Sequence, residues 1–156
     1  MFLIADGSPI TSSAIIAAIV SAIVTAAVNS FMNRGHNERM VYGQVQKMIE
    51  FAISYPYLED DAFCSNWPAI PLDGDPDKEK EKVQRYENYC CHVFNTLSAV
   101  YSLCMKHHLK MTDYLYPKEV VDRHKKWWNT DELNRKGYPP EFRRFVTDIL
   151  TEGDQK

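Results

Sequence analysis

The sequence predicts an all-α protein, in which a single N-terminal transmembrane helix is followed by a small bundle of three to four helices. Residues 10–32 form a run of 23 residues without a charged side chain. After this run, apolar residues recur at spacings of three and four, as on one face of a helix, and no stretch alternates for long enough to predict a strand. We therefore divide the chain into a short extracytoplasmic tail, 1–9, a transmembrane helix, 10–32, and a cytoplasmic helical bundle, 33–156.

The first predicted helix is long enough to cross a bilayer. At about 1.5 Å per residue the run covers about 34 Å, against a hydrocarbon core of about 30 Å. A cleaved signal peptide is one alternative, but it has basic residues before a run of only about 7–15 apolar ones, and no Lys or Arg precedes this run. A buried core helix is the other alternative, and such long apolar stretches are rare in a domain of this size.

The basic residues near the ends of the run predict its orientation. Arg34, Arg39 and Lys47 follow the run, whereas only the terminal amine precedes it. Because Lys and Arg favour the cytoplasmic side, we expect a single-pass protein of the inner membrane with its N-terminus outside and its body in the cytoplasm. The four cysteines agree with this orientation, since none lies in a CxxC motif and we interpret them as free thiols in a reducing compartment. They are Cys64, Cys90, Cys91 and Cys104.

Small side chains recur every four residues along the predicted membrane helix. In lipid, helices associate where small residues allow their backbones to approach closely. We therefore predict that this stripe is a contact between helices, most simply with a second copy of the chain. The alternative is that small residues are common in membrane helices and that their spacing here is chance. The stripe comprises Ser13, Ala14, Ala17, Ala18, Ser21, Ala22, Thr25 and Ala26.

The remainder of the chain has the apolar spacing of a helical bundle. The strongest signal is a seam that alternates spacings of three and four, and it predicts a central helix at about 79–107 that is buried against two neighbours. The seam comprises Val83, Tyr86, Cys90, Val93, Leu97, Val100 and Cys104. The other helices are expected at 41–53, at 117–129 and from 140 onward, and the proline-rich stretch 56–78 is expected to be a loop.

No catalytic residue, metal ligand or cofactor is predicted. The chain has no GxSxG, Walker, dinucleotide-binding or HExxH motif. The run from Asp73 to Gln84 begins like a calcium loop, but Lys78 and Gln84 stand where the turn Gly and the bidentate Glu are required.

Three histidines are candidate residues of a polar site: His107, His108 and His124. His107 and His108, with Cys104, could offer soft metal ligands, but zinc sites usually draw close pairs of ligands from two segments. His124 lies between valines and tryptophans. A buried histidine satisfied by a carboxylate or a backbone carbonyl is one interpretation of it, and a general base is the other. The adjacent tryptophans, Trp127 and Trp128, are expected in the core, with contact to a bilayer surface as the alternative.

Several short motifs resemble those of a known group of proteins. The motifs are YPYLED, then RYENYC leading into VFN, then HKKWW and finally YPPEFRRFV. They resemble a family of small bacterial proteins that have one N-terminal transmembrane helix and a helical cytoplasmic body. The resemblance implies the same architecture and an association with phage defence or stress, and it assigns no catalytic residue to this chain.

The expected function is that of a membrane-anchored interaction or scaffolding module. Its expected partners are the lipid bilayer, a second copy of the chain and a protein that the sequence does not identify. Nucleic acid is not expected, because the net charge is −3 and the sequence has no basic footprint. Two alternatives stay open: an enzyme built around His107, His108, His124 and the acids 59–61, and a toxin or effector whose anchor perturbs the bilayer.

Overall fold

A computed structural model describes residues 12–68, 75–130 and 132–153, with side chains from Ser21 onward except those of Ala27, Phe31, Pro76 and Gly153. Within these ranges the structure is helical and contains no strand, which confirms the predicted all-α class. The chain divides into two compact units, Met1–Glu38 and Arg39–Lys156.

The described part of the first unit is the beginning of helix α1, which extends over Ser12–Ser54 without interruption at Gly35. Its described large apolar side chains are exposed, and they are Ile23, Val24, Val28 and Met32. The later members of the small-residue stripe are also exposed: Ser21, Ala22, Thr25 and Ala26. The side chains of its earlier members lie outside the described part, and they are Ser13, Ala14, Ala17 and Ala18.

Within the described residues, no helix has both the length and the apolar composition that crossing a membrane requires. The tail 1–9, residues 10 and 11 of the predicted span, and the side chains of 12–20 lie outside those residues. The transmembrane helix and the location in the inner membrane therefore stay predictions.

The second unit begins within α1 and adds five helices and two short 3-10 turns. The order is turn Pro56–Glu59, α2 Asp61–Asn66, α3 Pro76–His107, turn Met111–Asp113, α4 Pro117–Thr130, α5 Glu132–Lys136 and α6 Pro140–Gly153. The predicted helices at 79–107, 117–129 and from 140 onward correspond to α3, α4 and α6. The sequence did not predict α5.

The prediction of a loop over 56–78 was wrong for most of its described part. Asp60 is the N-cap of α2, because its carboxylate accepts a hydrogen bond from the Phe63 amide at 2.8 Å. A side-chain cap of this kind stabilises a helix start. The turn and α2 also bury Leu58 and Cys64 against the bundle. Asp75 caps α3 in the same way, with Pro76 in its first turn, so α3 begins three residues before the predicted start.

The central seam of α3 is the core of this unit, as predicted. Every seam residue from Tyr86 to Cys104 is buried, and Val83 is half-buried. The ring centroid of Phe94 lies 5.4 Å from that of Trp127 and 4.6 Å from that of Trp128. Both tryptophans are buried on α4, so the prediction that they pack in the core is confirmed.

The cysteines differ in their exposure, and this difference predicts which thiols react in the folded protein. Cys64, Cys90 and Cys104 are buried, Cys91 is exposed, and all four are free thiols. In native full-length protein we expect one thiol, Cys91, to react quickly with a maleimide at pH 8, and the others to react only after unfolding, because burial blocks access. The Cys91→Ser variant should lose the fast phase. Two or more fast thiols in the native protein would contradict this arrangement.

Candidate functional site

A buried polar network surrounds His124, which is 1% exposed on the core face of α4. Its Nδ1 lies 3.0 Å from the Tyr86 hydroxyl, and its Nε2 lies 3.3 Å from Glu59 Oε1. A neutral imidazole satisfies these groups if Tyr86 donates to Nδ1 and the Nε2–H donates to the carboxylate. His124 is therefore a buried histidine whose two nitrogens both have partners.

Glu59 is the common acceptor of this network, and it comes from the 3-10 turn before α2. Besides His124, its carboxylate accepts the hydroxyl of Tyr89 and, at 2.6 Å, Nη1 of Arg123. Burial alone would raise the pKa of Glu59, but the hydrogen bonds from His124, Tyr89 and Arg123 outweigh it and lower the pKa to about 2. At neutral pH the network therefore contains an ionised carboxylate.

The network includes the residue types of a nucleophilic triad, since Cys90 Sγ lies 3.8 Å from His124 Nδ1. A cysteine nucleophile needs a lowered pKa and access for its substrate. Here burial raises the pKa of the Cys90 thiol, the residue has no exposed surface, and Tyr86 occupies the nitrogen that would accept the thiol proton. The geometry is that of a structural network that joins the turn, α3 and α4.

The three predicted histidines are not brought together. His107 lies in the last turn of α3, and His108 is the exposed residue that ends this helix in a left-handed conformation, with φ 55°. Helix α3 contacts His124 through Tyr86 and Cys90. Cys90 is the nearer of the two to His107, and it still lies 17 residues before it, which is about 26 Å along a helix. Among the described residues, no group of three His, Cys, Asp or Glu side chains could hold a metal ion. Asp73, the first residue of the calcium-like run, lies outside them.

The acids at 59–61 have three different environments. Glu59 lies in the network, Asp60 caps α2, and Asp61 accepts Arg123 Nε at 3.2 Å while remaining mostly exposed. The sequence missed the role of Glu59. A signal for it was present in Tyr86 and Tyr89 on the core side of α3, because a buried tyrosine hydroxyl requires a polar partner.

An apolar groove lies directly beside the network, and it consists of two adjoining cavities. The first has a volume of about 490 Å³, and the second has a volume of about 400 Å³. The two cavities share Met48, Ile49 and Val120, so they form one continuous depression. The first cavity is also lined by Ala52, Ile53, Pro56, Glu59, Tyr89, Val93 and His124, and the second by Val45, Tyr114, Leu115, Tyr116 and Glu119.

The groove exposes apolar side chains and has an acidic lining. Ile49 is 50% exposed and Ile53 is 73% exposed. The charged side chains among the lining residues are the carboxylates of Glu59 and Glu119, and no Lys or Arg is among them. Exposed apolar patches next to a formed depression are typical of sites that bind another molecule. The groove is therefore the candidate functional site.

No protein-family model matches the chain, and no curated protein or solved structure is significantly similar to it. The resemblance to small bacterial membrane-anchored proteins accordingly stays a prediction from the sequence motifs.

Proposed function

We propose that the protein is a single-pass, membrane-anchored interaction module. In this proposal residues 10–32 insert in the inner membrane with the N-terminus outside, and residues 39–156 bind a protein partner in the cytoplasm through the apolar groove. The observation that carries the proposal is the groove itself, with its exposed isoleucines on α1.

The anchor is supported by the uncharged run and by the exposure of its described apolar side chains. Ile23 and Met32 are 63% and 65% exposed. Exposed apolar surface costs about 25 cal/mol per Å² in water, whereas a lipid environment removes this cost. The first basic residue after the run is Arg34, where a positively charged flank would face the cytoplasm.

Fractionation of cells that express the full-length chain tests the anchor. We expect the chain in the membrane pellet, resistant to carbonate and released by detergent. The double variant Ile23→Lys/Val24→Lys should move to the supernatant, because each charge at the centre of a span costs about 2.5–3.5 kcal/mol. Met40→Lys is the matched control, since it adds a lysine to α1 beyond the run. Wild-type protein in the supernatant would contradict the anchor.

The small-residue stripe supports self-association of the anchor. Close backbone contact needs a flat face, and Ser21, Ala22 and Thr25 present small side chains that are exposed. We expect energy transfer between labelled full-length chains in neutral lipid vesicles, and we expect Ala22→Leu to reduce it at least fivefold. Ile23→Leu keeps the side-chain size on a neighbouring position and should leave the transfer unchanged. Equal transfer in both variants would argue against a contact through the stripe.

A further inference from the structure

We propose that the apolar groove binds an amphipathic helix of a partner protein through three apolar side chains, with a Lys or Arg of that helix beside Glu119. This inference rests on the proposed function, because it names the partner class for the same groove. The partner is identified by three properties of the groove: its length, its open form and its charge.

The length of the groove matches two turns of a helix. Its α1 wall extends from Val45 to Ile53, which is about 12 Å at the rise of an α-helix. Apolar residues at positions i, i+4 and i+7 of a partner helix extend over about 10.5 Å on one face. Three such side chains can therefore contact this wall at the same time.

The open form of the groove favours a helix over a small molecule. Small ligands bury about 70–90% of their surface in concave sites. Here both cavities are open to solvent, and Ile49 and Ile53 remain half or more exposed at the edge. A helix that lies along the groove would cover these side chains with its apolar face.

The charge of the lining selects a basic helix. Glu59 is already bound by Tyr89, His124 and Arg123. Glu119 has no ion-pair or hydrogen-bond partner among the described residues, and it is exposed at one end of the groove. A cationic side chain beside Glu119 would gain a favourable contact, whereas an acidic side chain there would be repelled by this carboxylate.

A synthetic helix provides the probe for this site. It is a fluorescein-labelled 14-residue helical peptide with Leu at i, i+4 and i+7 and Lys at the flanking positions, and two matched peptides carry Gln or Glu in place of Lys. The full-length protein is held in nanodiscs of zwitterionic lipid, or in buffer if fractionation finds it in the supernatant. We expect saturable binding, with the Lys peptide about fivefold tighter than the Glu peptide and the Gln peptide between them.

Variants of the protein locate the binding. Ile53→Lys should weaken binding of the Lys peptide at least tenfold, and the uncharged Ile49→Ser should weaken it about fivefold. Met105→Lys is the matched control, because Met105 is an exposed apolar residue of α3 outside the groove, and it should bind as the wild type does. Glu119→Gln should remove the preference for Lys over Gln. Circular dichroism confirms that each variant is folded.

Four results would overturn the inference: no saturable binding of the Lys peptide, full binding by both isoleucine variants, tighter binding of the Glu peptide, or displacement of all peptides alike by lysophosphatidylcholine. The last result would assign the groove to an acyl chain. None of these results depends on whether the chain is anchored, so failure of the groove and failure of the anchor are separate outcomes.

Discussion

Replacement of Glu59 with alanine should lower the free energy of unfolding by about 3 kcal/mol at pH 7. The change removes the acceptor of His124 and Tyr89 and one partner of Arg123. His124 is then left in the core with an unpaired polar nitrogen, and the desolvation of that group is no longer offset. Urea denaturation of the full-length chain in mild detergent, followed by circular dichroism, measures the effect.

Asp61→Ala is the matched control for this prediction. Asp61 is also a carboxylate that contacts Arg123, but its side chain is 85% exposed, so its removal should change the free energy of unfolding by no more than about 0.5 kcal/mol. Equal effects of the two substitutions would show that Arg123, and not the buried network, accounts for the loss.

The pH dependence of stability gives a second measurement on the same residue. The pKa of Glu59 is lowered in the folded state from its usual 4.5 to about 2. Its contribution is therefore fully present above pH 4.5 and is lost as the pH falls through 2. Because the carboxylate is 30% exposed, we expect a contribution of about 2 kcal/mol. The Glu59→Gln variant should lack this part of the acid dependence, and an unchanged acid dependence would contradict the lowered pKa.

Replacement of Trp128 with alanine should lower the free energy of unfolding by about 4 kcal/mol. Trp128 is 1% exposed, and its ring contacts Phe94 of α3, Phe142 of α6 and Tyr138. Removal of the indole leaves a cavity among aromatic rings that the helix backbones prevent from closing fully. Chemical denaturation measures the loss, and Trp128→Phe should lose only about 1.5 kcal/mol because most of the ring contacts remain.

Asn129→Ala is the control for the Trp128 prediction, since it changes the adjacent residue on the exposed side of α4. It should change the free energy of unfolding by less than about 0.5 kcal/mol. A loss near 4 kcal/mol for both variants would mean that α4 responds to any substitution, and aromatic packing of Trp128 would then not explain the loss.

The two stabilising clusters both determine the position of α4. His124 and Trp128 are four residues apart and therefore lie on one face of this helix, with the first joined to Glu59 and the second packed against Phe94. Val120, on the next turn toward the N-terminus, lines the groove. The network and the aromatic cluster thus hold one wall of the candidate binding site, and Glu59, Tyr89 and His124 of the network also line its first cavity.

The helices could be predicted from the sequence because their signals are local. The seam of α3 repeats at helical spacing, and Pro117 and Pro140 begin α4 and α6 at positions where proline costs nothing. The turn and α2 could not be predicted in the same way. Prolines in that stretch indicate a loop, whereas its helices depend on the cap at Asp60 and on the burial of Leu58 and Cys64 against distant residues.

The sequence by itself determined that the body of this protein is helical and that the tryptophans of α4 are in the core, because both follow from side-chain periodicity along single helices. Only the tertiary structure decided that Glu59 pairs with His124, 65 residues away, and that His107 and His108 lie apart from His124. It also decided that α1 and α4 border an apolar groove whose charged lining residues are carboxylates. The physical reason is that spacing along a helix specifies which face is buried, but only the packing of helices specifies what that face meets.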